Sequence, residues 1–290
     1  MRSIGCWRLA EPLGSEEVRR ALEEDRAADD VTTRLLGAAT RRTACAHFVA
    51  EGPFVVAGLP IVARVYAELD PEARVEALCG EGEWVGPDAV LARVRATAGT
   101  LLSGERVALN FLQRLSGVAT LTRRAVEAVA GTGARITHTR KTTPGLRALE
   151  SYAVTVGGGV ENRRSLAEAV LWKDNHWALL GPGGLAAALA GAPPGAAVVV
   201  EVEDDAQLEQ ALAAGVRHIL ADNQAPERVA AWVRRAGPGV TVQASGGIMP
   251  ESARAYAEAG AGLISIGTLT HSAPAAPIRC DILAGSPARR

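Results

Sequence analysis

The chain has 290 residues, 48% of them hydrophobic, which is enough to bury one large core, or one large and one small, and argues against disorder. Its 31 lysines and arginines nearly balance its 32 aspartates and glutamates, so the net charge argues for neither nucleic acid nor an anionic membrane, and any basic site must be local. Four scattered cysteines, Cys6, Cys45, Cys79 and Cys280, lack the spacing of a disulfide frame or a zinc site and read as reduced thiols.

In chain order, the opening run Met-Arg-Ser-Ile-Gly-Cys-Trp leads into charged residues rather than an apolar stretch. No secretory signal is read there, and the cytoplasm is the expected compartment. Helical patterns follow near Ser15 to Asp25 and Leu59 to Leu69, with strand-like runs at Thr43 to Ala50, Pro53 to Val56, Arg74 to Cys79 and Ala89 to Val94. Strands and helices mixed without a βαβ rhythm predict a separate α+β layer domain over residues 1–115.

From about residue 135 the rhythm changes. Apolar runs at Arg135 to Thr139, Ala153 to Val156, Ala169 to Lys173, Ala197 to Val202, His218 to Asp222, Val240 to Ala244 and Leu263 to Ile266 predict seven strands. Runs such as Ala-Ala-Val-Val-Val-Glu-Val are continuous rather than alternating, as parallel strands covered on both faces require. Helices are predicted between them at Asp205 to Gly215, Pro226 to Gly237 and Pro250 to Gly260, with apolar residues at helical spacing and glycine stops. The weakly polar stretch from Gly181 to Val200 carries Pro193 and Pro194 and reads as loop, short helix and buried strand rather than a membrane span. The segment after His271 is rich in Ala, Pro and Arg and reads as partly loose.

Polar residues decide between a barrel and an open sheet. Arg140 and Lys141 follow the first of these strands, and Lys173 and Asp174 the third; Glu201 and Glu203 end the fourth. Asp222 and Asn223 end the fifth, Ser245, Gly246 and Gly247 follow the sixth, and Gly267 and Thr268 the seventh. Chemistry at nearly every C-terminal strand end is the pattern of a (β/α) barrel, here one strand short, whereas an open sheet gathers it at one switch point. The expectation is an incomplete, barrel-like domain over 116–271, with 272–290 packing back on the N-terminal domain.

Arg140, Lys141, Arg163 and Lys173, with Arg164 beside them, place cations where such a fold puts its site, and an anionic ligand would relieve their repulsion. Ordinary solvated positions are the alternative for any one of them. The glycine-rich turns at Ser245-Gly246-Gly247-Ile248 and Gly267-Thr268-Leu269-Thr270 suit a phosphate, although tight turns alone also explain such glycines. Glu201, Glu203 and Asp222 on adjacent strands suit Mg²⁺ or sugar hydroxyls, with pairing to the cations as the alternative for Glu203. Together these describe a site for a sugar phosphate and an organic anion.

The run Thr139-Arg140-Lys141-Thr142-Thr143-Pro144-Gly145-Leu146-Arg147 resembles a signature of the quinolinate phosphoribosyltransferase family. Asp29 to Thr33, Glu105 to Gly117, Gly157 to Gly159, Lys173 to His176, Glu201-Val-Glu203, Asp222-Asn223, Ala244 to Ile248 and Leu269 to Ser272 are similar to it in the same order. The resemblance implies an N-terminal α/β sandwich, an unusual barrel-like C-terminal domain, and a pentosyltransferase that converts quinolinate and phosphoribosyl pyrophosphate to nicotinate mononucleotide, pyrophosphate and CO₂. It also implies Mg²⁺ on Glu201 and Asp222, and a homodimer or higher homo-oligomer in which Arg106 completes the neighbour's site. Arg140, Lys141, Arg163 and Lys173 would then hold the acceptor's carboxylates, and Ser245, Gly246, Gly247, Gly267 and His271 the 5′-phosphate. Four positions depart from the family's pattern: Asn162 stands where a histidine is usual, His138 and Pro277 where aspartates are, and Gln243 where a glutamate is. Asn162, lining the acceptor, leaves open a paralogue using a different aromatic acid; a non-catalytic binding homologue is a second alternative.

Overall fold

The computed structural model describes residues 13–180 and 183–283, so Cys6 lies outside the described residues. In chain order the first elements are α1 (Ser15–Glu24), α2 (Val31–Arg34), β1 (Thr43–Ala50), β2 (Phe54–Val55), α3 (Leu59–Leu69), β3 (Arg74–Ala77), β4 (Trp84–Val85) and β5 (Val90–Thr97). Then come α4 (Ala98–Ala128), β6 (Arg135–Thr137), α5 (Arg147–Val156), β7 (Ala169–Trp172), α6 (Asp174–Leu180), α7 (Leu185–Leu189), β8 (Ala197–Val202) and α8 (Asp205–Ala213). The last are β9 (His218–Asp222), α9 (Pro226–Ala236), β10 (Thr241–Ser245), α10 (Ala253–Glu258), β11 (Leu263–Ser265), α11 (Thr268–His271) and β12 (Ile278–Leu283). They form two compact units, one of residues 13–120, 143–157 and 273–283, the other of 121–142 and 158–272.

The first unit is built on an antiparallel sheet of order β12-β1-β5-β3, beside a small β2-β4 pair. In β5 the alternation of buried Ala92, Val94 and Ala96 with exposed Arg93 and Arg95 gives a sheet wet on one face. On α4, Leu101, Ala108, Leu112, Leu115 and Ala119 repeat at helical spacing and are all buried, which makes one apolar stripe along the helix. Within the described part of the segment after His271, β12 pairs with β1 from Ile278 to Leu283, which satisfies the backbone of an otherwise open edge. Gly117 permits that return, because a Cβ there would collide with the Pro274 carbonyl. Nearby, Gln113 Nε2 donates to the Ile278 carbonyl at 2.7 Å.

The second unit is a six-stranded parallel sheet of order β6-β11-β10-β9-β8-β7. Seven strands were expected, and Ala153–Val156 is the one that fails: it is the last turn of α5, where buried Leu149, Ala153 and Val154 follow helical spacing. A short apolar run does not by itself distinguish a strand from a buried helix turn. The helix expected from Pro250 begins at Ala253, after a turn in which the Ser252 hydroxyl caps Met249. One face of the sheet is apolar, with Val200, Val202, Ile219, Ala221, Val242, Ala244 and Ile264 buried, and α8, α9 and α10 pack against its strands. The alternate positions point to the other face, and there the chemistry lies.

Candidate active site

Register places the site residues. Glu201 pairs with Leu220 across β8 and β9, so Asp222, two residues on, shares its face, and Ser245 pairs directly with Asp222. Lys173, just past β7, is brought beside Glu201, and its Nζ lies 3.0 Å from Glu201 Oε2. The carboxylate is buried while the ammonium is half exposed, so one end of this pair is open to a ligand. Trp177, in the helix after Lys173, donates from Nε1 to the Glu201 carbonyl at 2.8 Å and fixes the end of β8.

The turn after β10 is built for close backbone approach. Gly246 has φ +95°, and a side chain there would strike the Asn223 amide group and sit 2.6 Å from the Asn223 N. Asn223 itself takes φ +52° and donates its N–H to the Ser245 carbonyl at 2.9 Å, locking the ends of β9 and β10 together. Gly247 is exposed beyond it. After β11, Gly267 faces the His271 ring, and His271 Nδ1 is 2.6 Å from the Ser272 hydroxyl.

Arg140 and Arg163 form a second group. The guanidinium of Arg163 donates from Nη1 to the Ala169 carbonyl at 3.0 Å, but its Nε is buried with no hydrogen-bond partner among the described residues, and so is the Nε of Arg140. Burial, and then the charge of Arg140, lower the pKa of Arg163. Two half-buried guanidiniums that keep unspent donors on buried Nε atoms call for an anion. Lys141 is exposed, and its carbonyl accepts from Thr270 Oγ1 at 2.9 Å. Asn162 uses both ends of its amide within the chain, on the His138 carbonyl and the Arg163 N–H, each at 2.7 Å. Arg106 belongs to the first unit, exposed on α4. Glu203 is exposed, with its N–H held by Gln207 Oε1 at 2.8 Å.

Two networks had no signal in the sequence. Beneath the glycine-rich turns after β10 and β11, His218 Nε2 donates to Gln243 Oε1 at 2.6 Å and Gln243 Nε2 donates to Ser265 Oγ at 2.5 Å. An amide both accepts and donates, which a carboxylate at position 243 could not do. Burial lowers the pKa of His218, against the opposing hydrogen bond to Gln243. In the first unit, Glu150 is fully buried and accepts from Arg114 Nε and Nη2, at 3.1 and 2.8 Å, and from the Thr143 N–H and hydroxyl, at 3.0 and 2.7 Å. Cys79 and Cys280 are thiols pushed by burial up to about 12, and so inert.

Among the described residues no cluster of three or more His, Cys, Asp or Glu forms a ready metal cage. Glu201 and Asp222, on one face at adjacent strand ends, are the carboxylates that could hold a Mg²⁺ ion, as in sites where one or two carboxylates suffice and substrate oxygens and water supply the rest. No helix among the described residues is long and apolar enough to cross a membrane.

The sequence matches the family described as quinolinate phosphoribosyl transferase, its N-terminal domain over residues 30–116 and its C-terminal domain over 118–281. It is 39% identical over 276 residues to the carboxylating nicotinate-nucleotide pyrophosphorylase of Mycobacterium leprae, covering 92% of this chain and 96% of that one. The Homo sapiens protein of the same name is 38% identical over 235 residues, 78% of each chain. The fold is similar to the crystal structure of nicotinate-nucleotide pyrophosphorylase from Ehrlichia chaffeensis, with a TM-score of 0.88 at 33% identity, covering 96% of this chain and 100% of that one.

Proposed function

The chain belongs to the quinolinate phosphoribosyl transferase family, and from that premise we propose that it transfers phosphoribose from phosphoribosyl pyrophosphate to the ring nitrogen of quinolinate. The products are nicotinate mononucleotide, pyrophosphate and CO₂. The observation that carries this reading is the gathering of Lys173, Glu201, Asp222 and the Ser245-Gly246-Gly247 turn on one face at the C-terminal ends of parallel strands. The relatives from Mycobacterium leprae and human share the carboxylating name, which favours quinolinate over another aromatic acid and over a silent binding protein.

The roles follow from charge. The turn at Ser245, Gly246 and Gly247, with Gly267 and His271, presents backbone N–H groups and an imidazole to the 5′-phosphate. Glu201 and Asp222 take the ribose hydroxyls and Mg²⁺. When bound, Mg²⁺ neutralises charge that builds on the departing pyrophosphate. The two carboxylates also face the positive charge that grows on the ribose ring as the bond to pyrophosphate breaks. Arg140 and Arg163, with Lys141 and Lys173, hold the acceptor's carboxylates so that its ring nitrogen meets the anomeric carbon. That nitrogen carries no proton, so no general base is required, and positioning does most of the work. Once the ring is quaternary its positive charge stabilises the electron pair left on the ring carbon as the adjacent carboxylate leaves as CO₂, and a proton from water completes that carbon. Arg106 completes a neighbouring subunit's site in a homodimer, and the reaction takes place in the cytoplasm.

The test is turnover of the purified protein with Mg²⁺, phosphoribosyl pyrophosphate and quinolinate, with nicotinate mononucleotide and CO₂ followed by mass. Both products are expected in equal amounts. Binding of phosphoribosyl pyrophosphate without either product would overturn the assignment.

A further inference from the structure

Asn162 sits beside the cation pair, yet both ends of its amide are engaged within the chain. Its Nδ2 donates to the His138 carbonyl, and its Oδ1 accepts from the Arg163 N–H, each at 2.7 Å. Its own N–H donates to His138 Nε2 at 3.4 Å. The imidazole is oriented in turn, because His138 Nδ1 lies 2.9 Å from the Thr139 carbonyl. A carbonyl only accepts, so Nδ1 carries the proton and Nε2 offers its lone pair to Asn162. The same segment is tied to β6 twice more. The Val160 N–H donates to the Ile136 carbonyl at 2.8 Å, and Thr137 Oγ1 donates to the Val160 carbonyl at 2.9 Å. Residues 160–163 are thus laid along the end of β6, and Asn162 is the final tie before Arg163.

We infer that Asn162 is a positioning residue rather than a ligand-binding one: it fixes the backbone of Arg163, and so aims the guanidinium that pairs with Arg140 to receive an aromatic ortho-dicarboxylate. This rests on reading the Arg140–Arg163 pair as the acceptor site. Arg163 has one anchor beyond the backbone, the bond from Nη1 to the Ala169 carbonyl, and its buried Nε awaits a partner. Loss of the Asn162 tie leaves the charge in place but frees its direction. Discrimination of the acceptor then comes from two guanidiniums held in one geometry, to which Asn162 contributes no charge.

The experiment is calorimetric titration of the full chain with phthalate, an ortho-dicarboxylate without a ring nitrogen, so that no transfer accompanies binding. Asn162→Ala is expected to weaken phthalate about tenfold, the worth of one net hydrogen bond, with phosphoribosyl pyrophosphate affinity unchanged. Asn162→Ser, which keeps an acceptor for the Arg163 N–H, is expected to fall between Asn162→Ala and the unaltered protein and serves should the alanine variant fail to fold. Arg163→Met should abolish binding. Unaltered phthalate affinity in both Asn162 variants, or an equal loss of phosphoribosyl pyrophosphate, would overturn the inference. So would an unaltered protein that binds phthalate no better than Arg163→Met; quinolinate turnover, measured separately, decides the proposed function.

Discussion

Replacing Glu150 by alanine removes a carboxylate with no exposed surface that accepts from both Arg114 and Thr143. The Arg114 side chain is 24% exposed, so the change deprives a mostly buried guanidinium of its carboxylate, while Nη1 still donates to the Ala273 carbonyl at 3.0 Å. Breaking a buried pair from one side costs about 3–5 kcal/mol, because the remaining charge stays desolvated. That is a large part of the roughly 5–15 kcal/mol that holds a domain together. The double change Arg114→Met with Glu150→Leu removes both charges and fills the space, and should cost under about 2 kcal/mol. Urea unfolding at neutral pH, followed by circular dichroism, distinguishes the two. A loss below about 1 kcal/mol for Glu150→Ala, or an equal loss for the double variant, would refute the reasoning, since either would mean that the desolvated charge is not the source of the cost.

Three further outcomes are expected. Gly246→Ala forces a Cβ into Asn223 at a φ of +95° and should lower kcat/KM by ~100-fold in steady-state assays with the fold retained, as small displacements at a reacting centre do; near-normal activity would remove the turn from the site. Glu81 caps α3 by accepting from the Gly58 and Leu59 N–H groups, and from the Tyr152 hydroxyl at 2.5 Å, and burial raises its pKa above the ordinary range. Between the ordinary glutamate value and that raised one, the folded chain holds a proton that the unfolded chain has lost, so stability falls as pH rises through the window. Glu81→Gln should flatten that part of a melting-temperature profile against pH, and parallel profiles would show that Glu81 stays ionised. Gln243→Leu leaves His218 and Ser265 without their shared partner and should cost about 1–3 kcal/mol in the same urea experiment; no loss would mean that water replaces the amide.

Much of the fold was legible because its signals are local. β1, α3, β8 and β9 fall within the bounds that apolar runs and caps set, and the cations and acids at strand ends fall where a parallel sheet must present them. What escaped is a run too short to show its own period and segments whose role is set by partners elsewhere in the chain. Ala153–Val156 reads as a strand until the buried Leu149 and Ser151 supply the helical repeat. The segment after His271 has too few apolar residues to read as a strand, and becomes one only through its pairing with β1. The resemblance motifs are also less uniform than their order suggests. Asp30 belongs to a helix cap, accepting from the Thr33 N–H at 2.9 Å, and these hydrogen bonds lower its pKa. The run from Thr139 to Arg147 divides between the units: Arg140 and Lys141 stand with the site, while Thr143 is bound to Glu150 in the first unit. A motif read as one site is thus half chemistry and half anchor. Only the buried partner, 7 residues away for Thr143 and 36 for Arg114, separates the two roles.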